Sequence, residues 1–237
     1  GGLTVVKSLL EHQLFEEIIY YGDTARVPYG IKDKNTIIRY GLEAVEFFKN
    51  FELDLIIVAC NTVSAYALDE MREISSCPIY GVVKAGAIAT SNTLSDKNSN
   101  ILILGTNATI KSRAYESELH SLGFENLQIK ATGLFVPLVE EEIFNGEILE
   151  AAFKHYFKDM QHPDAVILGC THFPLISDAL QNYFGNEVRL IHSGDAIVEY
   201  LEKEFDFTKK FDNPIMKYFA SENPDALKKI AKKWLKK

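Results

Sequence analysis

Short apolar runs rich in Ile, Val and Leu alternate with amphipathic stretches along almost the whole chain. Eight runs have the length and β-branched content of strands, at 17–21, 54–60, 78–83, 101–106, 127–131, 164–170, 188–193 and 215–219. Helical spacing of apolar residues lies between them, at 3–10, 36–50, 64–74, 108–122 and 148–157. The alternation predicts βαβ units, and therefore an α/β fold with mainly parallel sheets flanked by helices.

Two of the predicted strands end in a cysteine that is followed by short polar residues. One ends Ala-Cys-Asn-Thr at 59–62, and the other ends Gly-Cys-Thr-His at 169–172. Ligands bind at the carboxyl ends of the strands in open α/β sheets. The sequence therefore predicts that Cys60 and Cys170 face a ligand from two related halves of the chain. Such a pair suits a reaction that needs an acid/base on each face of one carbon atom.

The two halves differ at their starts. The second half has a strand at 101–106 that runs into a helix from about Ala108, whereas the first passes from Gly1-Gly2 directly into a helical pattern. We therefore expect the first half to have a short opening strand and loop that this sequence does not include. The polar stretch at 90–100 is predicted to be a loop or a connection between domains.

Composition excludes several classes of protein. The chain has 237 residues with 47% hydrophobic and 24% charged residues, which is ordinary for a globular protein. A net charge of −8 argues against nucleic-acid binding. No apolar run approaches the ~18 residues of a membrane span, and the start does not resemble a signal peptide. Three cysteines do not make a disulfide framework, which favours a reducing cytoplasm.

The end of the chain, 228–237, is rich in lysine and allows two interpretations. It could be a basic helix that lies on a membrane surface. Alternatively, Leu227, Ile230, Ala231 and Trp234 fall at helical spacing, which indicates a C-terminal helix docked on the protein. We expect the docked helix.

The residues beside the cysteines could bind or activate a small acidic substrate. Asn61, Thr62 and Thr171 supply short polar groups that could hold carboxylate oxygens. His172 could exchange a proton with a thiol or with substrate, or could be a structural histidine. Zinc is a rival interpretation of Cys170-x-His172. However, this spacing is unusual for a ligand pair and Cys-x-x-Cys is absent, so no metal is predicted.

Two other segments carry candidate polar groups. The loop at 22–30, Gly-Asp-Thr-Ala-Arg-Val-Pro-Tyr-Gly, follows a predicted strand and is either a substrate-contacting loop or a well-packed turn. The three acids at 140–142 would usually form a solvated face, yet one of them could point inward. The glycine and serine motifs of nucleotide sites and hydrolases are absent. No cofactor is therefore predicted.

Together these motifs carry a family resemblance. Gly-Asp-Thr-Ala-Arg-Val-Pro-Tyr-Gly, Ala-Cys-Asn-Thr and Gly-Cys-Thr-His-Phe-Pro-Leu occur in order, with Leu-Gly-Thr at 104–106 and His-Ser-Gly-Asp-Ala at 192–196. In this combination the chain resembles the glutamate racemases of the aspartate/glutamate racemase superfamily. That family opens with Asp-Ser-Gly-x-Gly-Gly, of which only the last Gly-Gly is present at 1–2. Its Asp and Ser have no position in this numbering.

The resemblance implies a cofactor-independent, cytoplasmic, homodimeric enzyme that interconverts L- and D-glutamate for peptidoglycan synthesis. Cys60 would take the α-proton of D-glutamate and Cys170 that of L-glutamate. The family's other catalytic groups would match His172, Glu140 and Asp23. The substrate-binding positions would be Tyr29, Gly30, Asn61, Thr62, Thr106, Thr109, Thr171 and His172.

The resemblance also implies two pseudo-symmetric α/β domains with the active site between them. The first would comprise residues 1–83 plus 194–237 and the second 84–193. Two alternative functions remain at this stage. The substrate could be that of an aspartate or hydantoin racemase, although the Pro-Tyr-Gly loop fits the glutamate enzymes better. The chain could also be a non-catalytic module that binds an amino acid or a protein, although binding alone requires neither cysteine.

Overall fold

The computed structural model describes residues 1–235, which alternate between strands and helices. The strands are β1 (Glu17–Gly22), β2 (Ile56–Val58), β3 (Ile79–Gly81), β4 (Ile101–Gly105), β5 (Leu127–Ala131), β6 (Ala165–Gly169), β7 (Arg189–His192) and β8 (Ile215–Ala220). The helices are α1 (Leu3–Glu11), α2 (Lys34–Phe48), α3 (Asn61–Tyr66), α4 (Leu68–Ile74), α5 (Val82–Thr93), α6 (Asn107–Ser112), α7 (Ala114–Ser121), α8 (Phe135–Glu140), α9 (Glu147–Phe157), α10 (Ser177–Phe184), α11 (Ser193–Glu204) and α12 (Pro224–Trp234).

A four-stranded parallel sheet forms the larger core, in the order β5-β4-β6-β7. Both faces of its central strands are covered, which explains why these runs are apolar throughout rather than alternating. Ile101, Ile103 and Ile167 belong to one core cluster, shared with α5, α7 and α11. The intervening residues, such as Leu102 and Val166, belong to a second cluster shared with α8, α9 and α10.

Two smaller parallel sheets complete the fold. In one, β1 pairs with β8 so that Glu17 lies opposite Ile215. In the other, β2 pairs with β3 so that Ile56 lies opposite Ile79. A third core cluster joins the β2–β3 pair to α2, α3 and α4. The α/β class and the parallel sheets agree with the prediction, and every predicted strand run overlaps an observed strand.

Three details of the prediction are wrong. Polar residues 90–93 continue α5 rather than opening a loop. The Thr90 and Thr93 hydroxyls donate back to the Gly86 and Ala89 carbonyls, each at 2.8 Å, so these polar groups are satisfied within the helix. The helix predicted at 64–74 begins at Asn61 and divides at Ala67 into α3 and α4. The helix predicted at 108–122 divides into α6 and α7 at Arg113, whose φ of 57° is left-handed.

Helices α5 and α11 begin close to the predicted domain boundaries at 83/84 and 193/194, and they pack against each other. The division into two domains stays a prediction. At the end of the chain, α12 lies on β8 and α1 with Leu227 and Ala231 buried, which is the docked arrangement that the apolar spacing indicates. Among residues 1–235, no helix has the length and apolar character needed to cross a membrane.

Candidate active site

The two cysteines lie just beyond the carboxyl ends of β2 and β6. The strands stop at Val58 and Gly169, slightly before the predicted ends, because each chain turns at its cysteine. Cys60 is the N-cap residue of α3, and Cys170 precedes a 3₁₀ turn, Phe173–Ile176. Cys170 is buried and Cys60 is half-buried, and both are free thiols.

Both thiols line one cavity of about 1080 Å³. The cavity also extends along the groove between β1 and β2. Most of the residues predicted to form the site lie on its wall, namely Asp23, Tyr29, Gly30, Asn61, Thr62, Thr106, Glu140, Thr171 and His172. Thr109 does not line the cavity, because it is buried behind the hydroxyls of Thr62 and Thr106.

Burial keeps both thiols protonated in the absence of substrate. It raises the pKa of Cys60, although the backbone N–H groups of Val63 and Thr62 favour the thiolate. It raises the pKa of Cys170 to about 12, and a negative charge on Cys60 adds to this shift. Two thiolates together are therefore disfavoured. The ionised form that is favoured holds one thiol and one thiolate.

Three threonine hydroxyls form a closed ring beside the cavity. The Thr62 Oγ1 atom is 3.0 Å from that of Thr106 and 2.9 Å from that of Thr109, and the last two are 3.0 Å apart. Thr62 follows Cys60 by two residues, while Thr106 and Thr109 follow β4. The ring therefore ties the Cys60 segment to the end of the large sheet.

Gly30 packs directly on this ring. A Cβ atom added at Gly30 would lie 2.4 Å from the Thr106 Cβ, far closer than such atoms approach in proteins. The Pro-Tyr-Gly loop can reach the threonine ring only because this position has no side chain. The loop therefore contacts the cavity wall, which supports the substrate-contacting interpretation of 22–30.

His172 connects Cys170 to a carboxylate. Its Nδ1 atom lies 3.6 Å from the Cys170 Sγ, and its Nε2 atom lies 3.4 Å from the Glu140 Oε1. Burial lowers the pKa of His172, so the ring is neutral at pH 7. The carboxylate favours the tautomer with the proton on Nε2, which leaves the Nδ1 lone pair facing the thiol. Of the three acids at 140–142, Glu140 and Glu142 line the cavity, and Glu140 is the one that contacts His172.

We expect Glu140→Gln to lower the turnover number about tenfold, less than the 10²–10⁴-fold contribution of a direct proton donor. The amide can still contact Nε2, but it no longer selects the tautomer by charge. Steady-state kinetics in both directions will measure the effect. Glu141→Gln is the matched control, because it changes the neighbouring acid. Equal losses in the two variants would contradict a specific role for Glu140.

Asp23 holds the 22–30 loop in place. It does not hold either thiol. Its carboxylate accepts hydrogen bonds from the Tyr29 hydroxyl and from the Arg26 Nε, the latter at 2.9 Å, and Arg26 also pairs with Glu43. Although burial opposes the charge, the hydrogen bonds from Arg26 and Tyr29 hold the pKa of Asp23 below its usual value. The structure therefore places Asp23 as an ionised anchor of the loop.

Four positions in or beside the site carried no prediction. Arg26 lies within the 22–30 motif, so this motif could have indicated a role for it. Tyr20 lines the cavity, and burial together with the charge of Cys60 raises its pKa to about 12. Tyr115 and Ser193 form buried hydrogen bonds to Asn61. Ser193 lies within the His-Ser-Gly-Asp-Ala run at 192–196 and could have been suspected from it. The sequence neighbours of Tyr115 gave no signal, because its partner is distant in the chain.

The arrangement of the possible ligand side chains bears on the interpretation of Cys170-x-His172 as a zinc site. In the part of the chain that the structure describes, no three His, Cys, Asp or Glu side chains are grouped as a metal site requires. Cys170, His172 and Glu140 are instead arranged in a row through the imidazole ring.

The family model for Asp/Glu/Hydantoin racemases matches residues 4–201. The chain belongs to this family. The resemblance noted in the sequence motifs is thereby confirmed, and with it the prediction that the chain is an isomerase. The Asp/Glu/Hydantoin racemase match includes every residue predicted for the site, from Asp23 to His172.

Relatives extend the comparison over the full sequence. The chain is 61% identical over 236 residues to a glutamate racemase from a Nitratiruptor species, covering 100% of this chain and 93% of that protein. The crystal structure of a glutamate racemase from Campylobacter jejuni is 54% identical with a TM-score of 0.97, covering 99% and 94% of the two chains. One from Francisella tularensis in complex with D-glutamate is 32% identical with a TM-score of 0.85, covering 98% and 89%.

Proposed function

We propose that this racemase interconverts L- and D-glutamate by a two-cysteine acid/base mechanism. One observation carries the proposal: two free thiols, one buried and one half-buried, lie at matching positions after β2 and β6 and line a single cavity. The substrate is inferred from the relatives, which are named glutamate racemases, one of them with D-glutamate bound. The non-catalytic alternative does not account for a second thiol in the same cavity.

The mechanism moves one proton off the substrate and another onto it. In the direction from D- to L-glutamate, the Cys60 thiolate takes the α-proton and becomes a thiol. The Cys170 thiol then donates its proton to the opposite face of the carbanion and becomes a thiolate. From L- to D-glutamate the roles are exchanged. Each turnover inverts the α-carbon of the substrate. The number of protons on the two cysteines does not change, because one thiol and one thiolate are present both before and after the reaction.

The surrounding groups stabilise charge and hold the substrate. The substrate ammonium lies beside its α-carbon, so its positive charge favours a thiolate that burial alone disfavours. Hydroxyl groups of Thr62, Thr106 and Thr171 are suited to hold the carboxylates, because hydrogen-bond donors placed in a cavity stabilise developing negative charge. His172, oriented by Glu140, accepts a hydrogen bond from the Cys170 thiol at its Nδ1 atom and so holds the thiol in place.

The same proposal includes the wider role implied by the relatives. The D-glutamate would supply peptidoglycan synthesis in the cytoplasm, and the enzyme would act as a homodimer without a cofactor. The two cysteines supply both proton transfers of the cycle, so the mechanism assigns no step to a cofactor.

A circular-dichroism assay of D-glutamate tests the activity. We expect full-length protein to bring the signal to zero from either enantiomer, because the two forms of glutamate are equal in energy. Aspartate at the same concentration is the matched control and should change far more slowly. Binding of glutamate without loss of optical activity would favour the non-catalytic module instead.

The raised thiol pKa values predict the pH dependence of the reaction. A neutral thiol must lose its proton to become the base, so the active form with one thiolate increases as pH rises. We expect kcat/KM to increase close to tenfold for each pH unit between about pH 6 and 8.5, because this range lies below the raised pKa values of both thiols. Initial rates at low substrate concentration will measure it. A value that falls with pH over this range would contradict the proposed thiolate base.

A further inference from the structure

A buried chain of hydrogen bonds joins the two segments that carry the thiols. The Tyr115 hydroxyl donates to the Asn61 Oδ1 at 2.7 Å, and the Asn61 Nδ2 donates to the Ser193 Oγ at 3.2 Å. The Ser193 hydroxyl in turn donates to the Leu168 carbonyl oxygen at 3.2 Å. Asn61 directly follows Cys60, and Leu168 is two residues before Cys170. This series of hydrogen bonds therefore runs from the Cys60 segment to the Cys170 segment.

The ring of Tyr115 makes a second connection between the same segments. A Cβ atom added at Gly169 would lie 3.2 Å from the Tyr115 ring, and one added at Gly86 would lie 3.1 Å from it. The ring thus lies between α5 and the last residue of β6, next to Cys170, while its hydroxyl contacts Asn61. Burial raises the pKa of Tyr115, so the hydroxyl remains a donor across the physiological range.

These contacts account for both ends of the Asn61 amide. Asn61, Tyr115 and Ser193 are buried, and neither Tyr115 nor Ser193 lines the cavity. The amide oxygen accepts from one side chain and the amide nitrogen donates to the other, which fixes the orientation of the amide. Residues that touch no substrate can therefore control the placement of the peptide that follows Cys60.

We propose that Tyr115 and Ser193 are positioning residues that hold the Cys60 segment at the correct distance from the Cys170 segment. This inference rests on the proposed two-cysteine reaction, in which both thiols must reach the same α-carbon from opposite faces. Displacements of about 1 Å can lower such rates about 100-fold. Binding of glutamate depends on other groups, so the positioning role affects turnover more than KM.

Tyr115→Phe and Ser193→Ala test this proposal, because they remove the hydroxyls and retain nearly the same side-chain volume. We expect kcat to fall about tenfold or more in each variant while KM changes less than about threefold. The matched controls are Tyr156→Phe and Ser8→Ala, which remove hydroxyls bonded to the Leu134 N–H and to Asp195 respectively. Thermal denaturation will show that all four variants are folded.

Racemisation in heavy water provides a readout that a purely structural role would not change. One thiol takes the α-proton and exchanges it with solvent deuterium. If the other thiol is out of position, the deuteron returns from the same side and gives deuterated, uninverted substrate. We expect the ratio of this exchange to inversion to rise at least about threefold in both test variants and in neither control. Loss of folded protein alone would lower exchange and inversion in proportion.

The outcomes separate the two proposals. An unchanged exchange-to-inversion ratio, or a kcat within about twofold of the wild type, overturns the positioning role and leaves the two-cysteine reaction intact. Wild-type protein that never inverts glutamate overturns both. A raised ratio in the test variants, with both controls unchanged, supports the positioning role.

Discussion

Replacement of either Cys60 or Cys170 by alanine is expected to abolish racemisation of glutamate in both directions. Each turnover uses one thiol to remove the α-proton and the other to return it, so the loss of one thiol stops inversion whichever enantiomer is supplied. A general acid or base contributes about 10²–10⁴-fold. We therefore expect rates at least about 1,000-fold lower in full-length protein, measured by circular dichroism.

Cys77→Ala provides the control for this experiment. Cys77 is the third free cysteine; its Sγ lies 3.8 Å from the Ser75 Oγ, and it does not line the cavity. We expect this variant to retain wild-type rates. Unfolding curves should show that all three variants remain folded, because alanine replaces a thiol with a smaller apolar group. Near-normal rates in both single variants of the site would exclude the two-base reaction.

Gly30→Ala is expected to have the second largest effect. The added methyl group would overlap Thr106, whose side chain is held in the ring with Thr62 and Thr109. Either the loop moves away from the cavity or the ring opens, and both displace groups that we propose to contact substrate. We expect kcat/KM to fall about 100-fold, the loss associated with a misplacement of about 1 Å.

Gly133→Ala is the matched control for the loop variant. A Cβ atom at Gly133 would have its nearest neighbour 4.0 Å away, at the Asn107 Nδ2, so the substitution fits without displacement. Kinetics and thermal denaturation of both variants should separate an effect on the site from an effect on stability. If Gly30→Ala keeps wild-type kcat/KM, close packing of the loop on Thr106 is unimportant for activity.

The central strands β4 and β6 were the easiest to predict from the sequence, because burial on both faces makes each one a continuous apolar run. Helix ends were harder to predict. At Arg113 the backbone turns to a left-handed conformation while apolar residues continue at helical spacing, so periodicity alone does not reveal the break between α6 and α7. At residues 90–93, polar composition indicated a loop, but hydroxyl groups bonded to the helix itself allow α5 to continue.

The site residues that could be predicted are neighbours in the sequence and meet at the ends of strands. Cys60 and Asn61, or Cys170 and His172, are close in sequence, so their motifs are visible in a single segment. Tyr115 could not be found in this way. It is separated from Asn61 by 54 positions, and its environment depends on two glycines from different elements. The packing of α7 on α5, which periodicity does not specify, determines where its hydroxyl lies.

The pairing of β1 with β8 has a consequence for synthesis of the chain. Residues 17–22 leave the ribosome long before their parallel partners, residues 215–220. All strands of the four-stranded sheet lie between these two segments, so that sheet can assemble first as the polypeptide emerges. Pairing over such a separation closes a long loop and is intrinsically slow. Until β8 pairs with β1, the edge of β1 that β8 will occupy remains available to other nascent chains. We therefore expect chaperone protection to matter at this strand.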